Sequence, residues 1–116
     1  MKELNTIQKV EKLNKVYVVD EVGPGNAYHK YLVDTGDLKI EIPFQKGPRK
    51  DPESISGVLD TDLLEIVRDR MKGFQSGEFA TSDNEKALEH IELALMYLNK
   101  RVMDRYERNV LGTYEK

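Results

Sequence analysis

Neither cysteine nor tryptophan occurs among the 116 residues. Without a thiol there can be no disulfide and no thiolate metal centre, so the fold must be held by packing and hydrogen bonds alone. Histidine is nearly as scarce. His29 and His90 do not form the pair four apart on a helix that binds a metal, and both read as ordinary surface residues. No apolar run approaches the ~20 residues of a membrane span, and Met1-Lys2-Glu3-Leu4-Asn5 lacks the apolar stretch of a secretory leader. A soluble cytoplasmic protein is the expectation. Positive charge does not dominate: 18 Lys and Arg stand against 21 Asp and Glu, a net charge of −3. A surface that coats nucleic acid polymer wants the reverse balance. Catalytic signatures are missing as well. Gly23-Pro24-Gly25 lacks the following Lys-Ser/Thr of a phosphate loop, and no serine stands in a nucleophile elbow. Glu85, Glu89 and Glu92 fit a solvated helix side better than paired catalytic carboxylates. The expectation is a non-enzyme with no cofactor and no metal.

What is present divides into two halves of an α+β chain, read as a single domain over residues 1–116. Residues 15–60 carry strand signals. Lys15 to Val22 is rich in β-branched and aromatic residues. Gly23-Pro24-Gly25-Asn26 supplies turn chemistry, and Ala27 to Asp34 reads as a second strand. After a tight turn at Thr35-Gly36-Asp37, Leu38, Ile40, Ile42 and Phe44 alternate with polar residues, the period of a half-buried strand. Pro43 marks its edge or its end. An antiparallel meander follows from the short turns. Ser54 to Leu59 reads as one more short strand, and residues 1–14 as either a short helix or a loose segment.

From Thr61 to the end the period becomes helical, and a C-terminal antiparallel helical hairpin is expected over 61–116. Leu63, Val67, Met71 and Phe74 recur at threes and fours in the first helix, with Asp60 or Thr61 as its cap and Gly73 and Gly77 closing it. Ser82 and Glu85 form a capping box for the second helix, whose apolar stripe is Leu88, Ile91, Leu95, Leu98 and Val102 and which Gly112 ends. Toward that end Arg101, Arg105 and Arg108 share a face with Ala94 and Tyr97. A planar guanidinium fork grips phosphate, and a tyrosine with small neighbours leaves room for a base. The plainer alternative is a solvated basic end that complements the helix dipole and pairs with Asp104 or Glu107. Asn84 falls within the apolar stripe, where its amide needs a partner; first-turn capping is its plainer role.

Several ordered segments carry a resemblance. They are Phe44-Gln45-x-Gly47-Pro48, Leu64-x-Ile66-Val67-x-Asp69-Arg70, Gly73-Phe74-Gln75-Ser76-Gly77-x-Phe79-Ala80, Asn84-x-x-Ala87-Leu88, Glu92-x-Ala94-Leu95-Met96-Tyr97-Leu98-x-Lys100-Arg101, and Asp104-Arg105-x-x-Arg108-x-Val110-x-Gly112-Thr113. Together they resemble the Thoeris anti-defence family of phage sponges, helical-hairpin proteins related to the anti-CBASS sponges. The resemblance implies an N-terminal antiparallel sheet before a helical hairpin, and action in the cytoplasm of the phage's bacterial host. It also implies sequestration, without degradation, of a cyclic ADP-ribose isomer with a 1''-3' glycosidic linkage that a TIR-domain enzyme makes from NAD. Carried over by position, the ligand site comprises Arg49, Phe74, Asn84, Arg101 and Arg105. Gly112 and Thr113 would belong to a second site for cyclic oligonucleotides in a hexamer. The chain departs from the family pattern at Glu78, Thr81, Ser82, Asn109 and Leu111, the first three in the connection beside Asn84 and the last two near the C-terminal end.

Asn84 and Arg101 lie seventeen positions apart on one helix, roughly 25 Å at 1.5 Å per residue. A dinucleotide-sized ligand that touches both therefore requires two chains, and a two-fold homodimer with two equivalent pockets is the expectation. Other functions remain open at this point. A sponge for CBASS cyclic di- or trinucleotides differs only in ligand. A nucleotide-cleaving enzyme needs a general base and usually a metal. A helix-turn-helix regulator needs a turn of about three to four residues.

Overall fold

The computed structural model describes residues 1–116, which divide into two compact units, Met1–Val58 and Leu59–Lys116. The seam lies beside the point where the hydrophobic period changes from two to that of a helix.

In the first unit, β1 (Lys2–Glu3), β2 (Lys15–Val18), β3 (Lys30–Asp34) and β4 (Lys39–Pro43) form an antiparallel sheet in the order β1-β2-β3-β4. The register places Val18 opposite Tyr31 and Tyr31 opposite Ile42; Val16 faces Val33, and Val33 faces Ile40. Because opposed residues point to the same side, these six form one apolar face, which Phe44 extends by setting its ring edge-on to Tyr31 at 5.6 Å. Val18 and Leu32, 3% and 8% exposed, are the buried apolar residues. Lys15, Asp34 and Lys39 stand abreast at one end of the ladder, with charges alternating in sign across strands.

The meander is as expected from the sequence, with shorter strands. β2 stops at Val18 rather than Val22, and β3 begins at Lys30 rather than Ala27. The reason is Asp20. Its carboxylate accepts the His29 backbone N–H at 3.1–3.2 Å and so replaces a ladder partner. The chain between turns through a short 3₁₀ segment, Pro24–Asn26, where Gly25 (φ 71°) and Asn26 (φ 62°) adopt the left-handed conformation. In the β3–β4 turn, Gly36 (φ 94°) donates to Asp34 Oδ1 and Leu38 N–H donates to Thr35 Oγ1, both at 2.9 Å. Residues 1–14 hold neither a helix nor only loose chain: Lys2 and Glu3 pair with Val18 and Tyr17.

Ser54–Leu59 makes two isolated bridges rather than a strand. Ile55 pairs antiparallel with Lys46, and Val58 pairs parallel with Phe44. A change of direction within three residues leaves no regular ladder, and Gly57 between them lies hard against the β4 end.

In the second unit, α1 (Asp60–Gln75) and α2 (Ser82–Glu107) pack as a hairpin. The α1 start differs from the expected cap: Asp62 Oδ2 accepts the Leu59 N–H at 2.8 Å, so the carboxylate in the first turn reaches back, and neither Asp60 nor Thr61 supplies the cap. The helix also continues through Gly73 to Gln75. No α1 residue is fully buried, and in α2 only Arg105 is; the predicted stripe residues of both helices are half-buried or exposed. Neither helix is long and apolar enough to cross a membrane.

A methyl group on Gly57 would lie 2.5 Å from the Phe44 backbone carbon and 2.6 Å from the Pro43 oxygen, whereas nothing lies within 4 Å of one on Gly73. Gly57→Ala is therefore expected to destabilise the chain by about 1–3 kcal/mol, since backbone atoms must move. Gly73→Ala in the helix interior is expected to stabilise it by about 0.5–1 kcal/mol. Urea titrations of both variants check this; an unmoved midpoint for Gly57→Ala would mean that the close approach does not persist in solution.

Candidate functional site

The α1–α2 connection is built by one side chain. The Gln75 amide donates Nε2–H to the Thr81 carbonyl at 3.1 Å, and its Oε1 accepts the Thr81 N–H at 3.0 Å. Thus pinned, Thr81 takes the extended conformation of an N-cap, and its Oγ1 accepts the Asn84 N–H at 3.0 Å. Thr81, not Ser82, is the cap; Ser82 is the first helical residue, and the capping box predicted for Ser82 and Glu85 does not form.

Phe74 and Asn84 flank this connection and so share one end of the hairpin. Phe74 is 40% exposed, and the Arg70 guanidinium lies 5.5 Å from its ring centroid, within the range of a cation–π contact. Sequence reasoning missed Arg70. Its place four residues before an aromatic on a helix was the available signal. The half-buried Asn84 side chain makes one long bond, 3.4 Å, to the Phe79 carbonyl, which leaves its own carbonyl oxygen unused.

Arg101 and Arg105 lie at the opposite end of α2, which runs without interruption from Ser82 to Glu107. Asn84 and Arg101 are therefore roughly 25 Å apart, and one chain does not bring the two groups together. The two arginines differ sharply. Arg101 is exposed and has no ion-pair partner, whereas Arg105 is 7% exposed. Arg105 donates to the carbonyls of Val110, Thr113 and Glu115, so it holds the C-terminal turn that contains Gly112 and Thr113. Arg108 pairs with Asp104 at 3.1 Å, the plain helix-end role. Arg68 bridges the helices to Glu92 at 2.8 Å. That hydrogen bond, with Glu65 adding to it, raises the Arg68 pKa further above its ordinary value. Arg49 is exposed in the turn after Pro48, in the first unit, and has no ion-pair partner.

The helix also ends earlier than predicted. Glu107 is its last residue; Asn109 (φ 58°) takes the left-handed position, and Val110 N–H returns to the Arg105 carbonyl at 2.9 Å. Asparagine is the usual second choice to glycine there. Gly112 (φ 79°) lies in the turn beyond.

A groove of about 750 Å³ runs between the helices, lined by Thr61, Arg68, Glu92, Met96 and Asn99 among others. It contains none of the predicted ligand residues. Arg101 follows Asn99 by two positions, which turns it roughly 160° away on the helix. No three of histidine, aspartate and glutamate gather where they could hold a metal ion.

The family model described as Acb2/Tad1, hairpin domain, matches residues 36–103, more than half of the chain. The chain belongs to the Acb2/Tad1 hairpin family. Among curated proteins, a relative named Thoeris anti-defense 1 from Bacillus phage SBSphiJ7 is 37% identical over 92 residues. The alignment covers 79% of this chain and 64% of the relative, so the chain spans less than two thirds of the length of the protein it matches. Within this Acb2/Tad1 hairpin, the match takes in Arg49, Phe74, Asn84 and Arg101 and stops before Arg105, Gly112 and Thr113.

Thr81→Ala is expected to lower stability by about 1 kcal/mol through loss of the cap, and Gln75→Ala by about as much through two lost bonds. The double variant should lose less than the sum, because Gln75 acts by holding Thr81 in place. Fully additive losses in denaturant titrations would mean that the connection is not cooperative.

Proposed function

We propose that this chain is a phage anti-defence sponge that binds a cyclic nucleotide immune signal, the 1''-3' glyco-cyclic ADP-ribose isomer, and withholds it without chemical change. One observation carries the reading. Of the six arginines, Arg68 and Arg108 are spent on carboxylates and Arg70 on an aromatic face, and Arg105 is buried with three of its N–H groups on backbone carbonyls. Arg49 and Arg101 remain exposed and unpaired, and both are residues that the family resemblance assigns to the ligand. An unpaired guanidinium offers phosphate its full charge and its two-pronged donor edge. Phe74 and the unused Asn84 carbonyl oxygen suit a base and its exocyclic amine. The name of the phage relative supports a role against host defence.

The roughly 25 Å between Asn84 and Arg101 along α2 supports a pocket shared between two chains. An antiparallel two-fold pairing would set the Phe74/Asn84 end of one hairpin against the arginine end of its partner, giving two pockets per dimer. The exposed Met96, Tyr97 and Tyr106 on α2 supply apolar surface for such a pairing. A sponge for cyclic di- or trinucleotides is the second reading, favoured by the ordered Gly112–Thr113 turn.

Incubation with a panel of cyclic nucleotides, followed by heat release and mass spectrometry, is expected to return the cyclic ADP-ribose isomer intact. Recovery of a cleaved product would mean turnover and sink the sponge reading. Arg101→Ala is expected to weaken binding by about tenfold to a hundredfold, the worth of one charge-assisted hydrogen bond, and Arg101→Lys to restore only part.

The shared pocket has its own test. Arg101→Ala and Asn84→Ala chains, each weakened alone, should regain about one good site per mixed dimer once subunits exchange, because both lesions then fall in a single pocket. A mixture that exchanges yet binds no better than either variant would mean that Asn84 and Arg101 do not share a pocket across chains, and the site residues would have to be reassigned.

A further inference from the structure

Arg105 is the one buried charged residue of the chain, yet no carboxylate pairs with it. Its Nη1 donates to the Glu115 carbonyl, and its Nη2 donates to Val110 and Thr113 at 3.1 and 3.0 Å. Of its five N–H groups, three are used; the Nε–H and one Nη1–H remain. Neutral carbonyl dipoles hold the guanidinium without cancelling its charge, whereas Arg68 and Arg108 surrender theirs to acidic partners. The collar braces itself: Thr113 Oγ1 and N–H both donate to the Val110 carbonyl, and Gly112 supplies the left-handed residue (φ 79°) that turns the chain back. Arg105 follows Arg101 by one helical turn, so the two side chains are neighbours on the helix surface.

We propose that the Val110–Glu115 turn is a positioning element of the ligand pocket, acting through Arg105. It orients the guanidinium so that its remaining Nε–H, on a group whose charge no carboxylate cancels, meets the phosphate group that Arg101 also holds. The proposal rests on the sponge reading above. It differs from a direct role for the turn, because Gly112 and Thr113 then influence the cyclic ADP-ribose isomer without touching it. Lysine cannot replace Arg105 here, since an ammonium has three N–H donors in all and, with three carbonyls satisfied, has none left for the ligand.

The test is a double-mutant cycle on the full chain, read by calorimetric titration of 1''-3' glyco-cyclic ADP-ribose. Arg105→Ala and Gly112→Val should each weaken binding by about tenfold or more, because a β-branched residue resists the left-handed conformation. Gly112→Asn, which tolerates that conformation, should bind nearly as the native chain does. In the Arg105→Ala background Gly112→Val should add nothing. Thr113→Val, which removes only the hydroxyl brace, should cost a smaller factor in the native background and none without Arg105; it decides the matter if Gly112→Val does not fold. Losses that multiply, or a Gly112→Val chain that binds as tightly as the native one, would overturn the positioning role while leaving the sponge reading intact. Absence of binding by the native chain would overturn that reading, and this proposal with it.

Discussion

The paired hydrogen bonds between the Gln75 amide and the Thr81 backbone decide how the second unit is put together. A side-chain amide that both donates to and accepts from one peptide unit imitates a step of β-ladder, and it forces Thr81 into extended geometry. The helix start, the cap and the Asn84 position follow from that single restraint. Gly77 then has only to let the chain pass between two fixed points, and the exposed Phe79 rides on a short loop closed at its base. An end of the hairpin that would otherwise fray is fixed by polar contacts, which suits a unit with so little buried apolar area.

That scarcity sets the energetic character of the hairpin. Leu63, Leu64, Met71, Leu88, Ile91, Leu95 and Leu98 are half-buried, so the apolar gain per residue falls well short of full burial. A 116-residue chain has little spare stability to begin with, and association that covers the remaining apolar surface would contribute to folding as well as to ligand binding.

Much of this architecture was legible in the sequence because period is a strong signal. Alternation through Ile40 and Ile42 placed β4, β-branched and aromatic content between turn residues placed β2 and β3, and the threes and fours from Leu63 to Val102 placed both helices. The errors cluster where one side chain outcompetes local propensity. Ser82 and Glu85 matched a capping pattern, but Gln75 gave the position to Thr81. Asp20 shortened two strands by taking a backbone N–H from the ladder. Gly73 looked like a stop, yet the ladder bonds of α1 carried on past it to Gln75. The arginines show the same limit. Spacing placed Arg101 and Arg105 on a common face, but it could not reveal that one points to solvent while the other is enclosed by a turn that begins five residues later. The Arg70–Phe74 contact is hidden in the sequence because Phe74 also fits the apolar stripe of α1.

The unequal lengths of the helices have a further consequence. With 26 residues against 16, α2 outruns α1 by ten residues, about 15 Å. Because Leu59 and Thr61 share their groove with Asn99 and Val102, the hairpin partner ends there, and the stretch holding Arg105 and Arg108 projects past it as a cantilever. A bare helical overhang in water loses its last turns readily. Here residues 110–115 fold back and are tied to Arg105, so the overhang is stiffened by the turn that follows it.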